Sequence, residues 1–446
     1  VLGRPRNAQA CQNASRRARR TAATATAAVA ALLATACQGS APVATQLNPT
    51  AVAPQAAAVV AKYLKISPAP GTKNAATTNG ITVTGASGGK VTSVSVKTSG
   101  KFPVTGQLNA AGTSWRSSYA LPTGQSFTVT AHGTDPHGHP VTSTSSFNTM
   151  TPASSFATTI FEGLNATYGV GMPIMLSFDH AITNKAAVER SLQLTTSNPV
   201  VGSWYWDGDQ QLYFRPREYW PAHTTVTFTG HLDGVEGAPG VYGVHTLTQT
   251  FSIGQSVIAV ASTSAHHTLI YVDGKVKYDW PISTGRDTLP TPNGTYLAVE
   301  KGNPVRMVGG GKKGSPGYYN ELVNWAVRFT YGGDYFHAAP WSVVNQGVSN
   351  VSHGCVNLSP GDAQTYYEMA SPGDPITITD SPKAGKWDDG WTQWFLSWSQ
   401  YLAGSATHQA VEAGPDGSKF VNPATLQAAA GSSPVSTSVS DNYQAS

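Results

Sequence analysis

Cysteine is scarce in this chain of 446 residues, with three in all, Cys11, Cys37 and Cys355. Acidic residues are missing altogether from Val1 to Thr134, a stretch that holds 13 of the 28 Lys and Arg. Charged side chains make up 12% of the sequence, low for a globular chain, while Gly, Pro, Ser and Thr abound. This balance excludes a long-helix or coiled-coil architecture and favours many short strands joined by turns. Long apolar runs are also missing. The one candidate, Ala22 to Ala36, follows Arg16, Arg17, Arg19 and Arg20 and ends at Cys37. It is short for a membrane span and has the layout of a secretory signal. Cys11 would be lost with such a signal, leaving Cys37 and Cys355, and if Cys37 carries lipid a disulfide framework is excluded.

The segment "LLATAC", residues 32–37, resembles the lipobox of bacterial lipoproteins, with Ala34 where Leu is most usual. Residues 1–37 are therefore expected to be a signal peptide, with Cys37 as a lipidation site that anchors the protein to the outer face of a membrane. The Ala, Pro, Thr and Gln-rich residues 38–61 read as a flexible linker. Next to it, Lys62, Lys65, Lys73, Lys90, Lys97, Lys101 and Arg116 stand unopposed by any acid. They would draw this region toward anionic envelope polymers, with a plain solvated face as the alternative.

Alternating runs "ITVTG" at Ile81, "KVTSVSVKT" at Lys90 and "SFTVTAHG" at Ser126 indicate an immunoglobulin-like sandwich over residues 62–151. A second one is expected over 152–254, from "IMLSF" at Ile174, "WYWDGDQQLYF" at Trp204 and "TTVTFTG" at Thr224, with "WDGDQQ" as a hairpin turn. Residues 255–380 continue in β pattern. One helix is marked there: Ser359 as N-cap, Pro360 at the first helical position and Asp362 three residues after the cap. Trp387, Trp391, Trp394 and Trp398 recur at helical spacing. This predicts a helical, Trp-rich subdomain over 381–403 that packs its aromatic side on the preceding domain. The Ala, Ser and Gly-rich residues 404–446 are expected to be disordered.

Chemistry concentrates in "FHAAPWSVVNQGVSNVSHGCVNLSPGDA", residues 336–363. An unperturbed thiol has a pKa of about 8.5 and is mostly protonated at neutral pH, so acyl transfer needs a base in reach. His353 lies two residues before Cys355 and would share its face in an extended strand. His337 would reach the thiol from a neighbouring strand. Gly354 opens the backbone to a substrate, and amides near Cys355 could form an oxyanion hole. The bland alternative for a lone cysteine is a small buried apolar residue.

"SHGCVN" with the upstream "FHAAPW" resembles the catalytic signature of the L,D-transpeptidase (YkuD-like) family, in the mycobacterial and actinobacterial branch whose catalytic domain follows immunoglobulin-like domains. The resemblance implies a mainly β fold: two sandwiches, then a YkuD-type catalytic domain with a short helix and a C-terminal helical subdomain. It implies Cys355 as nucleophile and His337 as the base, with the Ala338 carbonyl orienting the ring. His353, Gly354, Ser352 and Asn357 would line the pocket, with Tyr319, Trp341 and Met307 at the substrate. Asn357 stands where many bacterial relatives have Arg, so carboxylate recognition is expected to differ. Trp325 is read as core packing. "VGGGKKGSPGY", residues 308–318, corresponds to a lid, and lacks the spacing of a phosphate loop.

The implied reaction is attack on the third residue of a peptidoglycan stem peptide, loss of terminal D-Ala, and resolution of the thioester by an amine to give a 3→3 cross-link. Water in that role would make an L,D-carboxypeptidase, and a protein amine would tether a protein. Neither a cofactor nor a nucleic-acid partner is expected. A zinc site built from His337, His353 and Cys355 is disfavoured, because no acidic fourth ligand or second histidine pair is near. A non-catalytic envelope-binding protein is the opposing class. A cysteine peptidase of the NlpC/P60 type fits poorly, since there the cysteine precedes the histidine.

Overall fold

The computed structural model describes residues 62–100, 103–315 and 318–429. The expected signal, Cys37 and the linker lie outside the described residues, as does the tail from residue 430. The fold is mainly β, in keeping with the scarcity of helix-forming sequence. Among the described residues no helix is long and apolar enough to cross a membrane.

Residues Leu64–Asn148 form two facing sheets. Leu64–Ser67, Thr82–Gly85, Ser114–Ser117 and Gly106–Leu108 make one; Lys90–Thr98, Ser126–Thr134 and Pro140–Asn148 make the other. Alternation decides what is inside: Phe127, Val129 and Ala131 are buried with Leu64, Ile81, Val83 and Trp115, while Lys90 and Lys97 point to water. The region that follows repeats the plan on a larger scale. Val200–Asp207 and Gln211–Pro216 pair antiparallel across a turn in which Gly208 has φ +65°, as "WDGDQQ" suggested. Trp204, Phe214, Phe228 and Phe251 fill the space beneath. The two regions meet through a buried hydrogen bond, Thr77 to the Gly234 carbonyl at 2.6 Å, and through Tyr119 stacked on His231 at 3.7 Å between ring centroids.

Two expectations for the C-terminal region are corrected. Trp387, Trp391, Trp394 and Trp398 do not lie along one helix. Gln393–Phe395 is a single 3-10 turn, Trp398–Ala403 a short α-helix, and Trp387 and Trp391 sit in irregular backbone. The aromatic rings do not gather on the catalytic domain either. Trp391 and Trp394 enter the core of the second sandwich, where Trp394 Nε1 donates to the Gly171 carbonyl and the Arg215 guanidinium lies over the Trp394 and Tyr401 rings. The helical spacing does not report a helix, since the rings are placed by partners distant in the chain such as Gly171 and Arg215.

Residues 404–429 are ordered, contrary to expectation. Ala410–Gly414 pairs with Val200–Gly202 and folds back on Gly417–Val421, adding two strands to the second sandwich. What holds them is Glu189, fully buried, whose carboxylate accepts from Trp206 Nε1, Ser405 Oγ, the Ala406 and Thr407 amides and Thr407 Oγ1. Composition conceals this, because strand addition is made by backbone and needs little side-chain hydrophobicity.

Residues from Val257 onward build a five-stranded sheet, in the order Lys275–Pro281, His267–Val272, Val257–Ser262, Pro375–Thr379, Gly294–Leu297. A four-stranded sheet stands against it: Glu300–Gly302, Ala326–Arg328, Tyr335–Ala338, Val356–Leu358. Helix Pro360–Met369 starts where the sequence placed it, Ser359 Oγ accepting from the Asp362 amide, and buries Tyr366 against Phe336.

Glu162 and Asp374 are buried carboxylates that form no ion pair among the described residues. Burial pushes Glu162 up to about 8, although its oxygens accept from the Met175 amide. Asp374, beside Gly169 of the second sandwich, is likewise raised to about 8 by burial. Both therefore hold their protons longer in the folded chain than in the unfolded one, where carboxyls titrate near pH 4. Their contribution is whole below about pH 4 and is lost as pH rises toward about 8. The melting temperature is expected to fall by roughly 5 °C across that window, and Glu162→Gln to flatten the decline when scanned by calorimetry.

Candidate active site

Strands Tyr335–Ala338 and Val356–Leu358 run parallel, with Phe336 beside Val356, His337 beside Asn357 and Ala338 beside Leu358. Phe336, Val356 and Leu358 face the core. Strand alternation then turns His337 and Asn357 to the other face. His337 thus stands on a strand that neighbours the one following the cysteine motif. His353 does not reach it by the expected route. Residues 353–355 are a bend and not a strand, because Gly354 has φ +138°, a backbone state closed to other residues. His353 instead stacks on Tyr319, ring centroids 4.6 Å apart.

The bend is fastened from several sides. Ser352 Oγ donates to the Cys355 carbonyl at 2.6 Å and accepts from the Gly354 amide at 3.1 Å. That amide is therefore already engaged. Thr291 Oγ1 donates to the Gly354 carbonyl, and the Ser352 amide donates to the Thr284 carbonyl. Asn357 Nδ2 donates to Ser342 Oγ at 3.0 Å, which ties the strand to the 3-10 helix Pro340–Asn345.

Cys355 is 9% exposed. Its Sγ points to the Gly333 carbonyl at 3.8 Å and packs with Met307, Val323 and Ala326, with Tyr319 and Tyr335 alongside. Burial, with the Asp334 carboxylate adding to it, pushes the thiol up to about 12, and the Tyr335 amide opposes this by donating to sulfur. His337 is 3% exposed, and burial pulls it down to about 4. Thiol and imidazole are thus both neutral at pH 7.

The imidazole tautomer follows from one contact. His337 Nδ1 lies 2.9 Å from the Ala338 carbonyl, which can only accept, so Nδ1 carries the proton and Nε2 is left as a basic lone pair. Trp341 is 53% exposed, with its ring 6.0 Å from that of His337. Trp325 packs on Tyr367. Among the described residues no three His, Cys, Asp or Glu side chains gather closely enough to hold a metal ion.

Residues 256–378 match the model of an L,D-transpeptidase catalytic domain, and residues 72–236 that of a bacterial Ig domain. L,D-transpeptidase 2 of Mycobacterium tuberculosis is 32% identical over 330 residues, 73% of this chain and 80% of that protein. The chain belongs to the L,D-transpeptidase family. Within the same organism, L,D-transpeptidase 5 is 35% identical over 269 residues, 58% of either chain. L,D-transpeptidase 1 is 37% identical over 217 residues, 48% of this chain and 80% of the relative.

In this L,D-transpeptidase the segment read as a flexible lid joins the two strands of a β-hairpin, Val305–Gly309 paired with Tyr319–Val323, and contributes only Val308 and Gly309 to the pairing. Its inner face lays Met307 and Val323 on the thiol, its outer face exposes Val308 and Leu322, and Lys312 and Lys313 project from the tip. Sequence reading missed Thr291, Ser342 and Asp334. Thr291 and Ser342 give no signal, since a lone hydroxyl far from the motif looks like any other. Asp334 lies three residues before His337, and no spacing along one strand marks it.

Asp334 Oδ1 comes so near Gly354 that a Cβ built there would fall 2.2 Å from it. Gly354→Ala therefore meets both a clash and a forbidden φ, at a cost of roughly 1–3 kcal/mol and a loss of acylation of about tenfold or more. Thermal melts read alongside single-turnover acylation would check both numbers.

Proposed function

We propose that this L,D-transpeptidase acts outside the cytoplasm on peptidoglycan stem peptides and forms 3→3 cross-links through a thioester on Cys355. The observation that carries the reading is the Ala338 carbonyl at His337 Nδ1, which leaves Nε2 free on the face that His337 shares with Asn357. In the first step Nε2 takes the proton of Cys355 as sulfur attacks the carbonyl of the third stem residue. The C–S bond forms, the amide C–N bond breaks, and the proton passes to the departing D-Ala amine. In the second step an amine of a neighbouring stem attacks the thioester and sulfur leaves.

Since both partners rest neutral, the thiolate forms in the course of attack and not as a standing ion pair. Burial that penalises a lone thiolate penalises the imidazolium too, and proton transfer concerted with attack avoids both isolated charges. Met307 and Tyr319 belong to the hairpin that covers sulfur, so the hairpin must open to admit a peptide and then close around it. His353, Ser352, Gly354, Asn357 and Trp341 form the walls. The expected lipid at Cys37 would hold the enzyme at the membrane, with the basic first sandwich directed to anionic polymers of the envelope.

A synthetic tetrapeptide ending in a diamino acid and D-Ala, incubated with the protein, is expected to release D-Ala and to yield a cross-linked dimer by mass spectrometry. Hydrolysed tripeptide alone would reassign it as an L,D-carboxypeptidase. No D-Ala release at all would leave an envelope-binding protein.

A further inference from the structure

We propose that Asp334 receives the side-chain ammonium of the acyl acceptor, and so decides between amine and water in the second half of the reaction. This rests on the transpeptidase reading above and names the group that would select its second substrate.

Asp334 precedes the strand that carries His337, and its carboxylate is wedged against Gly354, the residue before the nucleophile. Thr330 Oγ1 donates to Oδ2 at 3.0 Å and receives the Gly333 and Asp334 amides, so the turn is rigid and aims the acid. The carbonyl of Gly333, in this same turn, faces Cys355 Sγ. The residue is half-buried, and burial holds its carboxyl above the ordinary range. None of the ion pairs among the described residues involves it. The charged and titratable groups whose fields it shares are Cys355, Tyr319, Tyr296, Asp389 and Lys383, of which only Lys383 is cationic.

A free carboxylate here works against a thiolate, since like charges close together raise each other's cost. For acylation alone the position would be better neutral. The charge becomes useful once a cation arrives, and the acceptor of this reaction is an ammonium that must be held beside the thioester and deprotonated before it can attack. An ammonium has three N–H protons: one stays in the new amide, one goes to the Asp334 carboxylate, and one returns to sulfur by way of His337. The C–N bond forms as the C–S bond breaks, and the site ends with a thiol and a neutral carboxyl that loses its proton to solvent. Water needs no such charge, so removal of the acid should harm aminolysis and spare hydrolysis.

The test uses the mature chain, a tetrapeptide donor ending in D-Ala, and a tripeptide stem with a free side-chain amine as acceptor. D-Ala release, cross-linked product and hydrolysed tripeptide are read together by mass spectrometry. With Asp334→Asn, whatever the change in D-Ala release, the ratio of cross-link to hydrolysis is expected to fall about tenfold or more. Asp334→Glu should restore part of that ratio. A ratio in Asp334→Asn equal to wild type, or one that falls only in step with D-Ala release, would overturn the proposal, as would a wild type that solely hydrolyses. Absence of D-Ala release from wild type would instead bring down the transpeptidase reading on which it rests.

Discussion

Replacing His337 by Asn is expected to slow acylation of Cys355 by about a hundred- to ten-thousandfold, the range that a positioned general base supplies. The sign of the accompanying pH effect is fixed by the thiol. Burial pushes Cys355 up to about 12, so without an internal base sulfur must lose its proton to solvent. The variant should then gain about tenfold in rate per pH unit across the alkaline range. Wild type should level off much earlier, because its proton goes to Nε2 of a neutral imidazole held in one tautomer by Ala338. Stopped-flow acylation from pH 6 to 10 would separate the two behaviours. A variant with a wild-type plateau would mean that another group takes the proton.

Glu189→Ala is expected to have the largest effect on stability, roughly 3–5 kcal/mol. The substitution leaves Trp206 Nε1 and the Ala406 amide without an acceptor, and strips one partner each from Ser405 Oγ, the Thr407 amide and Thr407 Oγ1, which still bond one another. No compensating collapse is available, since the donors sit on two separate pieces of chain. The consequence is local first. Ala410–Gly414 and Gly417–Val421 should detach from Val200–Gly202 and become sensitive to protease and to hydrogen exchange before the rest unfolds. Equal protection of this hairpin in variant and wild type would show that strand pairing alone secures it.

How far the sequence could be read depended on whether a feature was local. The N-cap at Ser359, the hairpin turn at Gly208 and the alternating strands were visible, because each is set by side chains and backbone states within a few residues. So was the placement of His337 on a strand next to the cysteine motif. The bend at Gly354 was not visible: a glycine marks permission for φ +138°, and only the surrounding contacts force it. The four tryptophans misled because their spacing fits a helix while their actual partners, among them Gly171 and Arg215, are far away in the chain. The ordered hairpin after residue 404 was invisible for the same reason, being held by Glu189 from another part of the chain. Asp334 was within sight of the motif, but its proximity to Gly354 depends on two strands being side by side, which no spacing in one strand can announce.

In the proposed reaction the Cys355 sulfur is the one atom that becomes acylated. Intact-mass spectrometry after incubation with a carbapenem measures this most directly, in the mature protein and in Cys355→Ala. One covalent adduct on the wild type and none on the variant is the expected result. An adduct that persists in Cys355→Ala, or a wild type that stays unmodified while its fold is intact, would contradict it.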